Sequence, residues 1–441
     1  MSACIARLLR ALPAIFLLCQ TVRAAVPVAP YFNGVFPEFA PNETFWTTRN
    51  AFPNLTFTDP LWMQQIPGSS ELVVLEKGGK IHRFPNDAGV TPAQRTVILD
   101  IADRLQIADE IGLLRMVFHP KFGDAASSFR NDVFLCYSHR PAGTPASTAT
   151  SMWRISRFKW VPASQTIDPA SEEVLIQQFD PHGWHNGGAL AFDNNGYLLI
   201  TCGDGGTNHQ SGAWLDQGFF SGVLRIDVDN NPERSHPIRR QPREDFFKPA
   251  KYPASFTQGY GIPNDNPWIS TSGSSLEEFY ALGLRSPHSA FYDAVEGDLW
   301  IGDVGANSYE EINRLAKGVN YGWPSNEGPL SGTGLGRPYF SYDRKLGGCV
   351  IGGLRYRGTR WSNELAGRIL FGDNVKGTLH ALAANITGAP TQELLTTNLG
   401  LGPYAGMSNL ATDNLGNIYI LKLDGIGKDG GTIPILERTT P

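Results

Sequence analysis

Short runs of alternating apolar and polar positions recur along the chain, and each follows a turn rich in Gly, Asn or Asp. Alternation with a period of two is the pattern of β-strands that bury one face. Shorter runs of the same kind, at 80–84, 222–228 and 377–382, predict further strands beside these centres. The six clearest runs begin at Glu71, Asn131, Asn195, Glu296, Gly367 and Leu415.

These six hairpin centres predict the architecture. A four-stranded propeller blade needs about 40–50 residues, and the spacing of the centres leaves room for one blade each with long loops. A closed ring also hides the edges of its sheets, which long open sheets cannot do. We therefore expect an all-β fold, a six-bladed β-propeller of four-stranded antiparallel blades over residues 61–438, with a long surface insertion near 229–275. A tandem of β-sandwiches is the alternative, disfavoured because no apolar-poor linker divides the chain.

The composition agrees with this prediction. Hydrophobic residues make up 41% of the chain and charged residues 18%, with 48 Gly and 31 Pro. Disordered chains are poor in aromatic residues and rich in charge, and coiled coils are poor in Gly and Pro. Both classes are excluded.

The N-terminus has the pattern of a secretory signal peptide over residues 1–24. Arg7 and Arg10 precede an apolar run at 11–18, and Ala24 closes a small-residue cleavage pattern. An uncleaved N-terminal anchor is the alternative, although the apolar run is too short to cross a bilayer and no later stretch is long enough. We expect an exported protein, secreted or periplasmic, in which residues 25–60 lead into the propeller.

Charge and cysteine content narrow the partners. The formal net charge is −5, and removal of the signal segment, which holds three arginines and no acid, makes it −8. A nucleic-acid partner is therefore not expected. Cys136, Cys202 and Cys349 remain in the mature chain. Buried free thiols are the default interpretation, and a single disulfide remains open.

His185 and Asp204 are the first candidate catalytic pair. His185 precedes a glycine pair at the start of one predicted strand, and Asp204 follows the end of the next. The two ends can approach each other in a hairpin, and a histidine oriented by a carboxylate is a suitable general base. A turn histidine that caps the backbone is the equal alternative.

A second group of candidates lies between residues 280 and 325. Arg285 interrupts an apolar run, where a charge is costly unless it meets an anion. The segment from Gly302 to Pro324 combines acids with glycines that free carbonyl oxygens, and such hard ligands suit Ca²⁺. The alternatives are a structural salt bridge for Arg285 and, for this segment, a helix cap made by Glu310 or Glu311.

Three more charged residues complete the set. Arg355 and Arg357 share one side of a strand and repel unless an acid or anion joins them. Glu110 precedes a strand and either lines a mouth or is a solvated loop acid. Motifs for nicotinamide binding, ATP binding, serine hydrolysis and zinc proteolysis are absent from the sequence.

Ordered blocks of this sequence resemble the soluble glucose/sorbosone dehydrogenases, a family of six-bladed propellers that also includes hedgehog-interacting-protein-like proteins. The resemblance runs from about residue 60 to 425. The blocks that carry it are 112–122, 185–192, 203–206, 222–228, 281–287, 302–324 and 365–373.

The resemblance implies roles for residues at matching positions. His185 takes the place of the catalytic base, which accepts a sugar hydroxyl proton as hydride passes to pyrroloquinoline quinone (PQQ). Asp204 matches an acid near the base, and Arg285 matches the arginine beside the quinone carbonyls. Gly305 and Ala306 fall where backbone carbonyls hold calcium.

The resemblance also implies a cofactor pocket. Arg357 falls where a lysine contacts the quinone's acid groups, and Glu110 falls where a glutamine lines the pocket. Two family arginines near the last blade have no counterpart, Ser408 lies near one of their positions, and Arg355 is a candidate substitute. Trp184 replaces an aspartate that precedes the base.

Together these features predict an exported quinoprotein oxidoreductase that oxidises a sugar or polyol hydroxyl with PQQ and Ca²⁺. The alternative is a non-catalytic, calcium-stabilised propeller that binds a glycan or a protein partner. Another propeller chemistry, such as lactone hydrolysis, is the third option.

Overall fold

The computed structural model describes residues 46–146, 150–206, 215–243, 250, 252–329, 334–383, 392–396, 406–423 and 429–438. The expected signal segment 1–24 lies outside the described residues, as does most of the 25–60 extension. Within the described part, no helix is long and apolar enough to cross a membrane.

Strands dominate the described chain. In its first half they are β1 (Trp46–Asn50), β2 (Phe57–Thr58), β3 (Pro60–Gln65), β4 (Glu71–Glu76), β5 (Lys80–Pro85), β6 (Thr96–Asp100), β7 (Leu113–Phe118), β8 (Asp132–His139), β9 (Ser151–Val161), β10 (Thr166–Asp180), β11 (Leu190–Phe192), β12 (Leu198–Cys202) and β13 (Gly222–Ile226). In its second half they are β14 (Ser235–His236), β15 (Phe256–Thr257), β16 (Ile262–Pro263), β17 (Phe279–Leu282), β18 (Ser289–Asp293), β19 (Asp298–Asp303), β20 (Tyr309–Leu315), β21 (Phe340–Asp343), β22 (Val350–Arg355), β23 (Ile369–Asp373), β24 (Thr378–Leu382), β25 (Gln392–Thr396), β26 (Met407–Thr412), β27 (Ile418–Lys422), β28 (Asp429–Gly431) and β29 (Pro434–Arg438). The helical elements are α1 (Ser362–Leu365) and two 3₁₀ turns, Pro92–Gln94 and Ala102–Arg104.

Six antiparallel sheets form the blades of a propeller, which confirms the predicted fold. Blade one is β3–β6, blade two β7–β10 with β15 as a fifth strand, and blade three β11, β12, β13 and β17. Blade four is β18–β21, blade five β22–β25, and blade six β26, β27, β29 and β1. The inner strands β3, β7, β11, β18, β22 and β26 contact one another in this order, and β26 contacts β3, so the ring closes.

The predicted hairpin centres all lie in equivalent positions. They correspond to β4, β8, β12, β19, β23 and β27, the second strand of each blade. A second strand packs against a neighbouring blade on both faces, and β12 is accordingly buried at every position. The segment 229–275 lies between β13 and β17, where β14 pairs with β16 and β15 joins blade two.

The ring is closed by strands from distant parts of the chain. β1 pairs with β29 antiparallel, from Trp46 opposite Arg438 to Asn50 opposite Pro434. The outermost strand of the last blade therefore comes from the start of the described chain.

In the described chain, six large hydrophobic clusters each lie between two neighbouring blades, and a small seventh cluster of Met152, Phe179 and Tyr252 lies beside blade two. One large cluster joins Leu75 of blade one to Leu135 of blade two, and another joins Phe134 of blade two to Leu224 of blade three. Each blade is thus held by the apolar faces of its neighbours, at about 25 cal/mol per Å² of apolar area buried.

The three described cysteines are free, which agrees with the default interpretation. Cys136 and Cys202 lie in the buried strands β8 and β12, and burial raises the pKa of Cys202 to about 12. These thiols act as small apolar groups.

Candidate active site

A cavity of about 210 Å³ opens at the end of the ring where the inner strands begin. Its lining comes from the first residues of inner strands and from loops that precede inner strands or follow second strands, so every blade contributes. One residue from each blade in turn is Lys77, Glu110, His185, Arg285, Cys349 and Ser408.

His185 and Asp204 form a hydrogen-bonded pair at this cavity. His185 precedes β11 and Asp204 follows β12, and the pairing of these two strands brings both residues to the same end. His185 Nδ1 lies 2.7 Å from Asp204 Oδ1, and Trp323 Nε1 donates to Asp204 Oδ2 at 3.0 Å. Since Asp204 is fully buried and its carboxylate accepts the proton on Nδ1, the other ring nitrogen of His185 is left as a proton acceptor.

The backbone around His185 is held in a strained conformation. His185 has φ = +59°, a left-handed value that costs a residue with a Cβ roughly 1 kcal/mol or more. Glu110 Oε2 accepts the backbone N–H of His185 at 2.7 Å. At Gly203, a Cβ atom would lie 1.9 Å from the His185 carbonyl oxygen and 2.8 Å from that of Arg285. The loops that carry the histidine and the arginine therefore converge on this glycine.

Arg285 reaches the same cavity from blade four. Its Nη1 donates to the carbonyl oxygens of Val304 at 2.9 Å and Gly305 at 2.8 Å, and its guanidinium lies 5.4 Å from the Trp323 ring. Its Nε is buried and has no acceptor within the described part of the chain. A buried N–H without an acceptor costs free energy.

Two buried acids lie behind Arg285. Asp303 accepts the backbone N–H groups of Arg285 and Ser286, at 3.0 and 2.7 Å, and stands opposite Glu311 in the β19–β20 pair. Burial raises the pKa of Asp303 well above its ordinary value, and the neighbouring Glu311 raises it further.

The loop after Asp303 is shaped by an acid that the sequence analysis missed. Glu327 Oε1 accepts the backbone N–H groups of Asn307, Ser308 and Tyr309 at 3.0–3.1 Å. At Gly305, a Cβ atom would lie 1.7 Å from the Tyr309 carbonyl oxygen, so the turn requires glycine. The loop of Gly305 and Ala306 is thereby folded back tightly beside Arg285.

The alternative role of Glu310 and Glu311 as helix caps is wrong, because both lie within strand β20. Glu310 pairs with Arg344 and accepts the backbone N–H of Val350 at 2.8 Å. Burial raises its pKa to about 7.

Arg355 and Arg357 are not brought to the cavity. Arg355 ends the inner strand β22, so both residues lie at the opposite rim of the ring. Arg357 Nη2 lies 2.5 Å from Asp293 Oδ2, and Arg355 lies 3.4 Å from both Asp293 and Glu296. This placement corrects the expectation that these arginines contact a cofactor, because acids of blade four neutralise them instead.

Ser408 does line the cavity, from the second position of β26. Its Oγ donates to the Pro60 carbonyl oxygen at 2.7 Å and joins blade six to blade one.

The cavity contains further polar residues that sequence reasoning missed. Lys77 contacts the Asp109 carbonyl oxygen through Nζ, and burial lowers its pKa. His288 also lines the cavity, and burial lowers the pKa of its imidazole. The turn Lys77-Gly-Gly after a predicted strand was the only signal for Lys77, and a turn alone does not indicate which rim it occupies.

The family model described as Glucose / Sorbosone dehydrogenase matches residues 57–245 and 256–381. The chain belongs to this family. The match includes the loops that carry His185, Asp204 and Arg285.

Of three curated relatives of this family member, one is named as an enzyme. HIPL2 protein from Arabidopsis thaliana is 27% identical over 266 residues, which cover 54% of this chain and 36% of that protein. Aldose sugar dehydrogenase YliI from Escherichia coli is 27% identical over 260 residues, 59% of this chain and 57% of that protein. Hedgehog-interacting protein from Homo sapiens is 24% identical over 373 residues, 80% of this chain and 47% of that protein. The matches span less than two thirds of each relative's own length.

A solved structure shares the propeller. The PQQ-bound form of aldose sugar dehydrogenase from Streptomyces coelicolor superposes with a TM-score of 0.62 at 16% identity, over 89% of this chain and 98% of that chain. At this identity the likeness shows the fold alone.

Proposed function

We propose that this member of the glucose/sorbosone dehydrogenase family oxidises a sugar or polyol hydroxyl, with PQQ as hydride acceptor and Ca²⁺ as its metal. The observation that carries the proposal is that the His185–Asp204 pair and Arg285 converge on one cavity. His185 Nδ1 lies 2.7 Å from Asp204 Oδ1, and the loops of His185 and Arg285 both pack against Gly203.

The residues present fit the quinone more directly than the calcium. Arg285 lines the cavity and would place a cation beside a quinone oxygen. Carbonyl oxygens are hard ligands of the kind that calcium takes. The Gly305 carbonyl accepts from Arg285 Nη1, and neither Gly305 nor Ala306 lines the cavity, so calcium would have to share this loop with the guanidinium. Lys77 is the second cation of the cavity lining and would hold an acidic group of the cofactor. PQQ, when bound, supplies a carbonyl group able to accept a hydride.

The protein's own residues supply the proton chemistry. His185 would take the proton of the substrate hydroxyl on its free ring nitrogen, Nε2. Asp204 keeps Nδ1 protonated and the ring oriented, and it stabilises the imidazolium that forms. Trp323 holds Asp204 through its second oxygen, so the carboxylate cannot rotate away from the base. Glu110 fixes the strained backbone of His185 and thereby its position.

The test is a titration of the purified protein with PQQ in calcium-containing buffer. We expect a shifted quinone absorbance, followed by reduction of an artificial dye when aldoses or polyols are added. A His185→Asn variant should still bind PQQ but reduce no dye, and an Arg357→Lys variant at the opposite rim should match the wild type in both assays. Failure to bind micromolar PQQ would overturn the proposal.

A non-catalytic, calcium-stabilised propeller is the second candidate function. The resemblance places Ser408 near a position where the family has a cofactor-binding arginine, and the observation that supports this candidate is that the Ser408 hydroxyl donates to the Pro60 carbonyl oxygen. A ligand here would be a glycan or a protein partner. Calcium should then raise the melting temperature and a glycan should bind, while PQQ changes neither.

We also propose that the protein is exported, on the pattern of residues 1–24. N-terminal sequencing of the protein recovered from its native host should begin after Ala24. An N-terminus at residue 1 or 2 would refute cleavage.

A further inference from the structure

An exposed tryptophan stands beside the candidate active site. Trp184 exposes 54% of its surface and is the only aromatic residue among the large apolar side chains exposed in the described part of the chain. A single exposed apolar residue needs no explanation by itself, so the surroundings of this indole decide its meaning.

The indole is held in place. Trp184 Nε1 donates to Asp109 Oδ2 at 2.8 Å. The backbone on each side is also fixed, because Glu110 N–H donates to the Gly183 carbonyl oxygen at 2.9 Å and His185 N–H donates to Glu110 Oε2 at 2.7 Å. An aromatic ring kept exposed and ordered loses little entropy when a ligand covers it.

Trp184 lies next to the cavity but does not line it. It directly precedes the base His185, and its partner Asp109 lines the cavity. A ligand with one ring beside His185 therefore reaches the indole only with a second ring. Ile107, another exposed apolar residue, lies in the same loop as Asp109 and extends the apolar rim.

The chemistry of this rim selects the ligand class. Asp109 and Glu110 carry two carboxylates at the cavity wall, and these oxygens accept hydrogen bonds from hydroxyl groups. A pyranose ring offers both hydroxyls for the acids and a C–H face for the indole.

We propose that Trp184 forms an outer subsite, which stacks on the second ring of a neutral oligosaccharide whose end ring enters the cavity. This inference rests on the proposed function only in taking the cavity as a sugar site. It names the substrate class as an oligosaccharide rather than a free monosaccharide.

The experiment measures binding by the cofactor-free protein. Isothermal titration calorimetry would compare glucose, xylose and mannose with their β-1,4-linked di-, tri- and tetrasaccharides. For at least one series, we expect the disaccharide to bind about tenfold more tightly than the monosaccharide, with little further gain for longer chains.

Variants of Trp184 then test whether the tighter binding of the disaccharide depends on the indole. Trp184→Ala should reduce the ratio of monosaccharide to disaccharide Kd to about one, and Trp184→Phe, which keeps an aromatic face, should retain most of it. Leu415→Ala is the matched control, because Leu415 is also exposed but follows the inner strand β26 at the opposite rim. This control should keep the wild-type ratio.

The outcomes separate this inference from the proposed function. A wild-type ratio near one in every series, or a ratio that Trp184→Ala leaves unchanged, overturns the subsite. If PQQ-dependent oxidation is then observed, the enzyme function stands without it. A ratio that depends on Trp184 in a protein that binds no PQQ supports the subsite and refutes the oxidoreductase.

Discussion

The arginine side chains at the two rims of the propeller ring have different partners. At the rim where the inner strands end, Arg355 and Arg357 are neutralised by Asp293 and Glu296. At the rim where the inner strands begin, Arg285 donates to the carbonyl oxygens of Val304 and Gly305 and forms no ion pair with an acid of the described chain. Acids therefore neutralise the arginines of one rim, whereas the charge of Arg285 is left at the cavity.

The cavity rim also carries backbone strain. His185 adopts a left-handed conformation at the cavity rim, and the loop around it is anchored by Glu110 rather than by its own preferences. The cavity rim therefore carries free-energy costs that the apolar layers between blades offset. Changes at this rim should affect function first, and changes at the opposite rim should affect stability first.

The largest expected effect comes from the base. His185→Asn keeps a residue that tolerates positive φ, so the fold should be retained. With the proton acceptor gone, kcat for dye-linked sugar oxidation should fall about 10²- to 10⁴-fold. Steady-state kinetics with saturating PQQ measures this loss, and circular dichroism checks the fold. Turnover equal to wild type would show that His185 is not the base.

The opposite rim provides the converse test. Asp293→Ala removes a buried acid that pairs with both Arg355 and Arg357, and breaking a buried ion pair costs about 3–5 kcal/mol. Urea denaturation should show that loss, while kcat and KM stay at their wild-type values. If Asp293→Ala changed kcat or KM and left stability unchanged, the expectation that this rim affects stability first would be wrong.

A third prediction concerns pH and the cavity rim. Burial raises the pKa of Asp180 to about 7, and the nearby Asp204 and Glu110 act in the same direction, although hydrogen bonds from Asn186 and His182 oppose it. The folded state therefore holds a proton that the unfolded state releases above its ordinary pKa of 3.8. Between pH ~4 and ~7 this group should reduce stability as pH rises, by up to about 1.4 kcal/mol per pH unit, and above pH ~7 its effect should be constant.

The Asp180→Asn variant isolates this contribution. Its free energy of unfolding relative to wild type should increase across the same pH window, as measured by urea denaturation at several pH values. A difference that does not vary with pH would mean that Asp180 is charged in the folded protein throughout.

The smallest effect belongs to an ion pair at the outer edge of blade six. Arg49 Nε lies 2.7 Å from Glu437 Oε1, and the Arg49 side chain is about half exposed. Arg49→Ala should lower stability by less than about 1 kcal/mol, and high salt should remove the difference. If Arg49→Ala lowered the free energy of unfolding as much as Asp293→Ala, the exposure of the Arg49–Glu437 pair would not explain its smaller expected contribution.

The sequence was sufficient for the repeated parts of the fold. The second strand of every blade, including β4, β12 and β27, was predicted because burial between two blades produces a local apolar pattern. The approach of His185 to Asp204 was predictable too, since both flank a single hairpin.

The remaining site residues depend on contacts between distant segments. Trp323 reaches Asp204 across 119 positions, and Glu327 shapes a loop that begins some twenty residues earlier. Arg355 and Arg357 were assigned to the wrong rim because a two-residue spacing gives a shared face and not the strand direction. Lys77 had no local pattern that distinguished it from an ordinary turn lysine.

The pairing of β1 with β29 has a consequence during synthesis. Arg49 leaves the ribosome 388 residues ahead of Glu437, its partner in the finished sheet. For that interval β1 has no partner strand, and its unpaired edge is open to any other nascent chain. Loss of either strand, by truncation or by proteolysis, should therefore favour intertwined dimers or aggregates over a clean monomer.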